Sequence, residues 1–65
     1  MKRQKIGSVK GGKSKSTYPV HWDSDTKKVY VEKFGFWGST LIDTKTIASS
    51  AEAAMNVAEA FVYDK

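Results

Sequence analysis

The chain has 65 residues, a net charge of +4 and no cysteine. A chain of this length forms one small domain, whose core seldom contributes more than about 3–5 kcal/mol of stability. Without cysteine it has no disulfides and no thiolate metal site, and no apolar stretch is long enough for a signal peptide or a membrane span. We therefore expect a cytoplasmic protein that does not associate with membranes.

The positive charge is concentrated in the first third of the chain. Residues 1–20 carry six basic and no acidic side chains, whereas residues 21–65 carry five basic and seven acidic ones, a net charge of −2. Residues 1–16 are mainly Lys, Gly and Ser, which offer too little apolar surface to offset the entropy lost on ordering. The composition predicts a flexible basic N-terminal arm over residues 1–16 and a single domain over residues 17–65.

Residues 7–14, GSVKGGKS, match the pattern G-x-x-x-x-G-K-[ST] of phosphate-binding loops. Such a loop needs a buried strand before it and a helix after it. Three of the six preceding residues are cationic, and Pro19, with the strand-like alternation around it, opposes a following helix. The match therefore indicates a flexible segment that attracts phosphates by charge, and not a nucleotide hydrolase.

The domain is predicted to begin with a β-hairpin. In TYPVHWD, Tyr18 and Val20 alternate with polar residues, which is the period of a half-buried strand. Pro19 lacks an N–H, so this strand is expected at a sheet edge. The segment DSDT is typical of a turn, and KKVYVEKF then places Val29 and Val31 on one face. The predicted register sets Val20 opposite Val29 and Tyr18 opposite Val31.

The remaining elements complete an α+β fold. Gly35 and Gly38 predict a turn or a bulge at FGFWG with its aromatic side chains folded back over it, and residues 39–46 predict a third strand. Ser49 and Glu52 form a capping box for a C-terminal helix. Its apolar stripe comprises Ala51, Ala54, Met55, Ala58, Phe61 and Val62. The prediction is a three-stranded antiparallel β-sheet packed by one C-terminal α-helix, in the order β-β-β-α.

The residues do not assemble a catalytic or metal site. His21 is the only histidine, and the neighbouring Asp23 and Asp25 are explained by the turn they form. Neither a second imidazole nor a thiolate is present to complete a metal site. We predict a protein that is not an enzyme, with no catalytic residue, no metal and no cofactor.

A mixture of basic and aromatic residues favours nucleic acid as the partner. The segment KFGFW has the aromatic-Gly-aromatic pattern with which single-stranded nucleic-acid binders stack bases, although a small domain is expected to need Phe34 and Phe36 in its core and to expose Trp37. Five neutralised phosphates would give a salt slope of about −4.5. The predicted nucleic-acid-binding residues are Lys2, Arg3, Lys5, Lys10, Lys13, Lys15, His21, Lys28, Tyr30 and Trp37. The residues do not distinguish DNA from RNA.

Protein binding is the alternative. The chain would then be an interaction module or a small inhibitor that binds through the sheet edge or through a helix edge. Ala53, Val57 and Ala60 extend the apolar character of the helix beyond one stripe, and small side chains permit close helix approach. This edge is therefore interpreted in two ways, as the contact surface of a homodimer or as alanines that serve helix propensity alone.

Overall fold

The computed structural model describes residues 3–65, which form four strands and one helix. The elements are β1 (Arg3–Lys10), β2 (Thr17–Asp23), β3 (Lys28–Gly35), β4 (Gly38–Ile47) and α1 (Ala51–Phe61). The strands form one antiparallel sheet in the order β1-β2-β3-β4, and α1 packs on one face of it. The predicted α+β class and C-terminal helix are confirmed. The predicted count of three strands was wrong.

The additional strand, β1, lies within the segment that was expected to be a flexible arm. It pairs with β2 from Arg3–Asp23 to Lys10–Thr17, with a bulge between Lys5 and Gly7. The composition of residues 1–16 does not predict β1, because the strand is not stabilised by apolar surface of its own sequence alone. Instead, β2 supplies its hydrogen-bonding partner and the helix covers its few apolar side chains.

Two apolar side chains hold β1 under the helix. Val9 belongs to the buried core and Ile6 packs against it. Gly7 lets β1 and the helix approach closely, because a Cβ there would lie 3.1 Å from the sulfur of Met55 on α1. A side chain at Gly7 would therefore require the end of the Met55 side chain to move by a few tenths of an ångström.

Pro19 does not place β2 at an edge of the sheet, as had been expected. β2 lies between β1 and β3, but its pairing with β3 extends only from Trp22–Val29 to Val20–Val31. Pro19 lies one residue beyond Val20, the last residue of β2 that pairs with β3. At that position β2 makes no hydrogen bond to β3, so the missing N–H of proline is tolerated. From there β2 stays with β1 and β3 stays with β4, so the sheet divides into two hairpins. We call the opening between them the fork.

The β2–β3 hairpin is confirmed, but its register differs by two residues from the prediction. Val20 faces Val31, not Val29. The turn occupies residues 24–27, one residue later than the predicted DSDT, and within it Lys27 adopts a left-handed conformation (φ 64°) and donates from its amide to the carbonyl of Asp23 at 2.7 Å. Asp23 Oδ1 also accepts from the amides of Asp25 and Thr26. Both valine rows still reach one face, because a shift of two residues preserves the alternation.

The core lies between the helix and the sheet. It comprises Val9, Tyr18, Val20, Val29, Val31, Ala48, Ala54, Ala58 and Val62. The helix begins after Ser50, whose hydroxyl accepts from the Ala53 amide at 3.2 Å, so the N-cap is Ser50 and not Ser49. Trp22 donates from Nε1 to the Ala48 carbonyl at 3.0 Å and fixes the connection into the helix. Within residues 3–65 no helix has the length and apolarity needed to cross a bilayer.

The β3–β4 turn is confirmed, but its aromatic side chains are not folded back. Gly35 faces Gly38, and Phe36 and Trp37 form the turn between them. Phe36 is 90% exposed and Trp37 94%, while Phe34 is 62% exposed. The prediction that Phe34 and Phe36 lie in the core was therefore wrong. The prediction that Trp37 is exposed is confirmed. The end of the β3–β4 hairpin lies beyond the part of the sheet that the helix covers, so these rings have no buried surface to pack against.

Candidate nucleic-acid interface

One end of the sheet combines lysines with exposed aromatic rings. Because β1 and β3 run in the same direction, the β1–β2 loop (residues 11–16) and the β3–β4 turn lie at the same end. We call this region the basic-aromatic end. Its side chains are all exposed and comprise Lys10, Lys13, Lys15, Lys33, Phe34, Phe36 and Trp37.

The rings of the turn form a compact pair. Phe36 and Trp37 meet edge to face, with their ring centroids 4.9 Å apart and an interplanar angle of 83°. Edge-to-face packing satisfies the quadrupoles of the two rings, yet almost all of their surface stays in water. Exposed rings of this size contribute little to folding, and a contiguous apolar patch on a small protein usually marks a binding surface.

The fork opens at the same end. It encloses a cleft of about 410 Å³ that is lined by Ser14, Ser16, Thr17, Tyr18, Lys33 and Phe34. This volume lies within the range of about 300–1,000 Å³ found for small-ligand sites. The lining combines three hydroxyls and one ammonium group with the exposed Phe34 ring and the buried Tyr18 ring.

The β1–β2 loop is fastened to the C-terminal turn. The amide of Gly12 donates to the Val62 carbonyl at 3.0 Å, and the amides of Lys13 and Ser14 donate to the Lys65 carbonyl at 3.1 and 2.9 Å. A phosphate-binding loop instead leaves such amides free to point at its ligand. Residues 7–14 therefore do not cradle phosphate with their backbone, whereas the Lys13 side chain remains exposed.

The sheet face opposite the helix carries a second, partly neutralised group of charges. Pairing places Lys5 opposite His21, and His21 opposite Tyr30. The Arg3 guanidinium lies 5.6 Å from the centre of the Tyr30 ring, a cation–π distance. His21 Nε2 and Glu32 Oε1 are 3.0 Å apart, so an acid sits in the middle of this face.

Glu32 is held in its charged form. The Ser39 side chain hydrogen bonds to it, and so does His21, and these contacts lower the pKa of Glu32 below its ordinary value of 4.5. Nearby positive charge on His21 and Lys5 acts in the same direction. The open face therefore keeps a carboxylate at neutral pH, which would repel a phosphate backbone passing over it.

The predicted binding residues separate into groups. Lys10, Lys13, Lys15 and Trp37 come together at the basic-aromatic end, whereas Arg3, Lys5, His21 and Tyr30 form the open-face group. Lys28 pairs with Ile47 at the opposite end of β3, roughly 20 Å away. Lys2 lies outside the described residues.

Sequence reasoning missed three members of the basic-aromatic end. Lys33 was not selected, and Phe34 and Phe36 were assigned to the core. The signal that could have found them is Gly35 and Gly38 around a two-residue tip, since such short loops are typical of tight hairpins whose tips leave the sheet.

His21 already contacts Glu32, and among residues 3–65 no three His, Cys, Asp or Glu side chains come close enough to hold a metal ion.

Comparisons with models of protein families, with characterised proteins and with solved structures find no match to this chain. Function therefore has to be argued from the arrangement of its own residues.

Proposed function

We propose that the protein is a non-catalytic nucleic-acid-binding protein that uses its basic-aromatic end. The observation that carries the proposal is the exposure of Phe34, Phe36 and Trp37 on the same end of the sheet as four lysines. Lysines attract the phosphate backbone, and exposed rings stack on bases irrespective of sequence. The chemistry fits either DNA or RNA.

The open face has a secondary role in this proposal. Arg3 and Lys5 add positive charge beside β2, but Glu32 opposes it at the centre of the face. The helix contributes little, because its exposed residues include Glu52 and Glu59 and no basic residue in its last turn. The ligand is therefore expected to approach the end of the sheet and to contact the face only near β1.

A salt titration tests the proposal. If about four phosphates are neutralised, the logarithm of the association constant for a single strand should fall with the logarithm of salt concentration at a slope of about −3. Binding can be followed through the fluorescence emission of the exposed Trp37, which a stacked base would quench. Wild type that shows no binding at low salt, or binding that salt leaves unchanged, would refute the proposal.

A matched pair of substitutions localises the interface. Lys13→Gln and Lys28→Gln remove one charge each from an exposed position, but Lys13 lies at the basic-aromatic end and Lys28 at the other. We expect Lys13→Gln to reduce the magnitude of the salt slope by about 0.7–0.9, and Lys28→Gln to change it little. Equal effects would mean attraction by net charge alone. Point substitutions are preferable to deletion of residues 1–15, because β1 is part of the sheet.

One observation favours protein binding as a second candidate function. A groove of about 310 Å³ runs between β4 and α1, lined by Thr44, Thr46, Val57, Ala60 and Phe61. Val57 and Ala60 belong to the helix edge for which a homodimer was predicted. Dependence of the sedimentation coefficient on protein concentration would support self-association there, and Ala60→Glu should then abolish it.

A further inference from the structure

The fork is an opening built into the sheet. Beyond the Val20–Val31 pair, Tyr18 pairs with Val9 on β1 and Phe34 pairs with Ser39 on β4, but no pair between β2 and β3 continues in that direction. Pro19 has no N–H with which to extend the β2–β3 ladder. The two hairpins therefore diverge past Val20 and Val31, at the position where β2 carries a proline.

The lining of the fork fits one nucleotide. Hydroxyls from Ser14, Ser16 and Thr17 can donate to or accept from a sugar or a phosphate. Lys33 supplies a positive charge at the rim, where it is exposed. The Phe34 ring offers a flat apolar surface for a base.

Resting on the nucleic-acid function proposed above, we propose that the fork accepts a single unstacked nucleotide of a single strand. Its base stacks on Phe34, and its phosphate lies beside Lys33 and the hydroxyls of the β1–β2 loop. In a duplex the faces of the bases are covered by their neighbours, so neither Phe34 nor the Phe36–Trp37 pair could reach them. The edge-to-face pair at the turn then provides a stacking surface for an adjacent base.

The test compares single-stranded with double-stranded ligands. The probe is a fluorescein-labelled oligothymidylate of about ten nucleotides, and the comparison is a labelled, longer duplex of mixed sequence that stays paired at low salt. Fluorescence anisotropy at fixed low salt gives the dissociation constants. Wild type should bind the single strand more tightly than the duplex, and Phe34→Ala should weaken single-strand binding by about 5- to 150-fold while leaving duplex binding unchanged.

The control for Phe34→Ala is Ile47→Ala. Ile47 is also a large exposed side chain (68%, against 62% for Phe34), but it lies at the opposite end of the sheet. We expect it to leave both dissociation constants unchanged. Thermal melts confirm that each variant is folded, and the amide signals of Ser16 and Thr17 should shift when the oligothymidylate is added to the wild type.

The possible outcomes distinguish failure of the fork proposal from failure of nucleic-acid binding altogether. Salt-dependent binding with equal affinity for single strand and duplex, or with Phe34→Ala equal to Ile47→Ala, overturns the fork while nucleic-acid binding stands. No binding to either ligand overturns both. Binding to vesicles of anionic phospholipid with none to oligonucleotides would also overturn both and assign the aromatic turn to a membrane surface.

Discussion

Gly12 is the position where one added methyl group should separate the β1–β2 loop from the C-terminal turn. A Cβ at Gly12 would lie 1.8 Å from the Tyr63 carbonyl oxygen, whereas ordinary contact begins at 3.4 Å. The loop would have to move by about 1.5 Å. A movement of that size breaks or strains the three backbone hydrogen bonds that residues 12–14 donate to Val62 and Lys65.

The cost follows from those three bonds. At about 0.5–1.5 kcal/mol each, and with the loop partly exposed to water, Gly12→Ala should lower the free energy of unfolding by about 2–3 kcal/mol. For a domain of this size the melting temperature should fall by about 10–20 °C. Urea denaturation followed by far-ultraviolet circular dichroism and by the emission of the half-buried Trp22 measures the change.

Gly35→Ala is the matched control. The nearest atom to a Cβ at Gly35 is the Gly38 carbonyl oxygen at 3.4 Å, an ordinary contact. Because alanine loses less conformational entropy than glycine in a strand, the stability should stay within about 0.5–1 kcal/mol of wild type. If Gly12→Ala proved as stable as Gly35→Ala, the loop would not be held against the C-terminal turn, and the reasoning would fail.

Two further predictions concern the helix cap and Glu32. Ser50→Ala should cost about 0.5–2 kcal/mol because Ser50 is the N-cap, whereas Ser49→Ala should cost little; the reverse order in urea denaturation would restore the capping box predicted from sequence. Because the folded pKa of Glu32 is lowered below 4.5, the unfolded chain binds more protons there, so its stabilising contribution is complete above that value and is lost as the pH falls through the folded pKa. Carboxyl titration by NMR should place the pKa of Glu32 below 4.5, and Ser39→Ala should raise it; a wild-type titration midpoint at or above 4.5 would contradict this assignment.

The local patterns of the chain predicted most of its elements. Strand alternation around Val20 and around Val31, a glycine-flanked turn and a helix rich in alanine all depend on neighbours within a few positions, so they can be recognised without a fold. The register of the first predicted hairpin could not be recognised, because the turn, with Lys27 in a left-handed conformation, lies one residue later than DSDT and the sequence does not mark this shift.

The candidate site was only half predictable. Lys13 and Trp37 were selected because of charge and ring chemistry, and both lie at the basic-aromatic end. Phe34 was assigned to the core because a small domain was expected to need its phenylalanines there. The structure fills its core mainly with valines and alanines, which leaves the rings of the β3–β4 hairpin outside.

By itself, the sequence determined the elements whose pattern is local: β2, β3, β4 and the helix with its apolar stripe. Only the tertiary structure decided that residues 3–10 form a strand, that Pro19 lies at a fork and that the aromatic turn stays exposed. The reason is that these features depend on distant partners. β1 needs the hydrogen-bonding edge of β2, and its loop needs the carbonyls of Val62 and Lys65; no window of neighbouring residues contains that information.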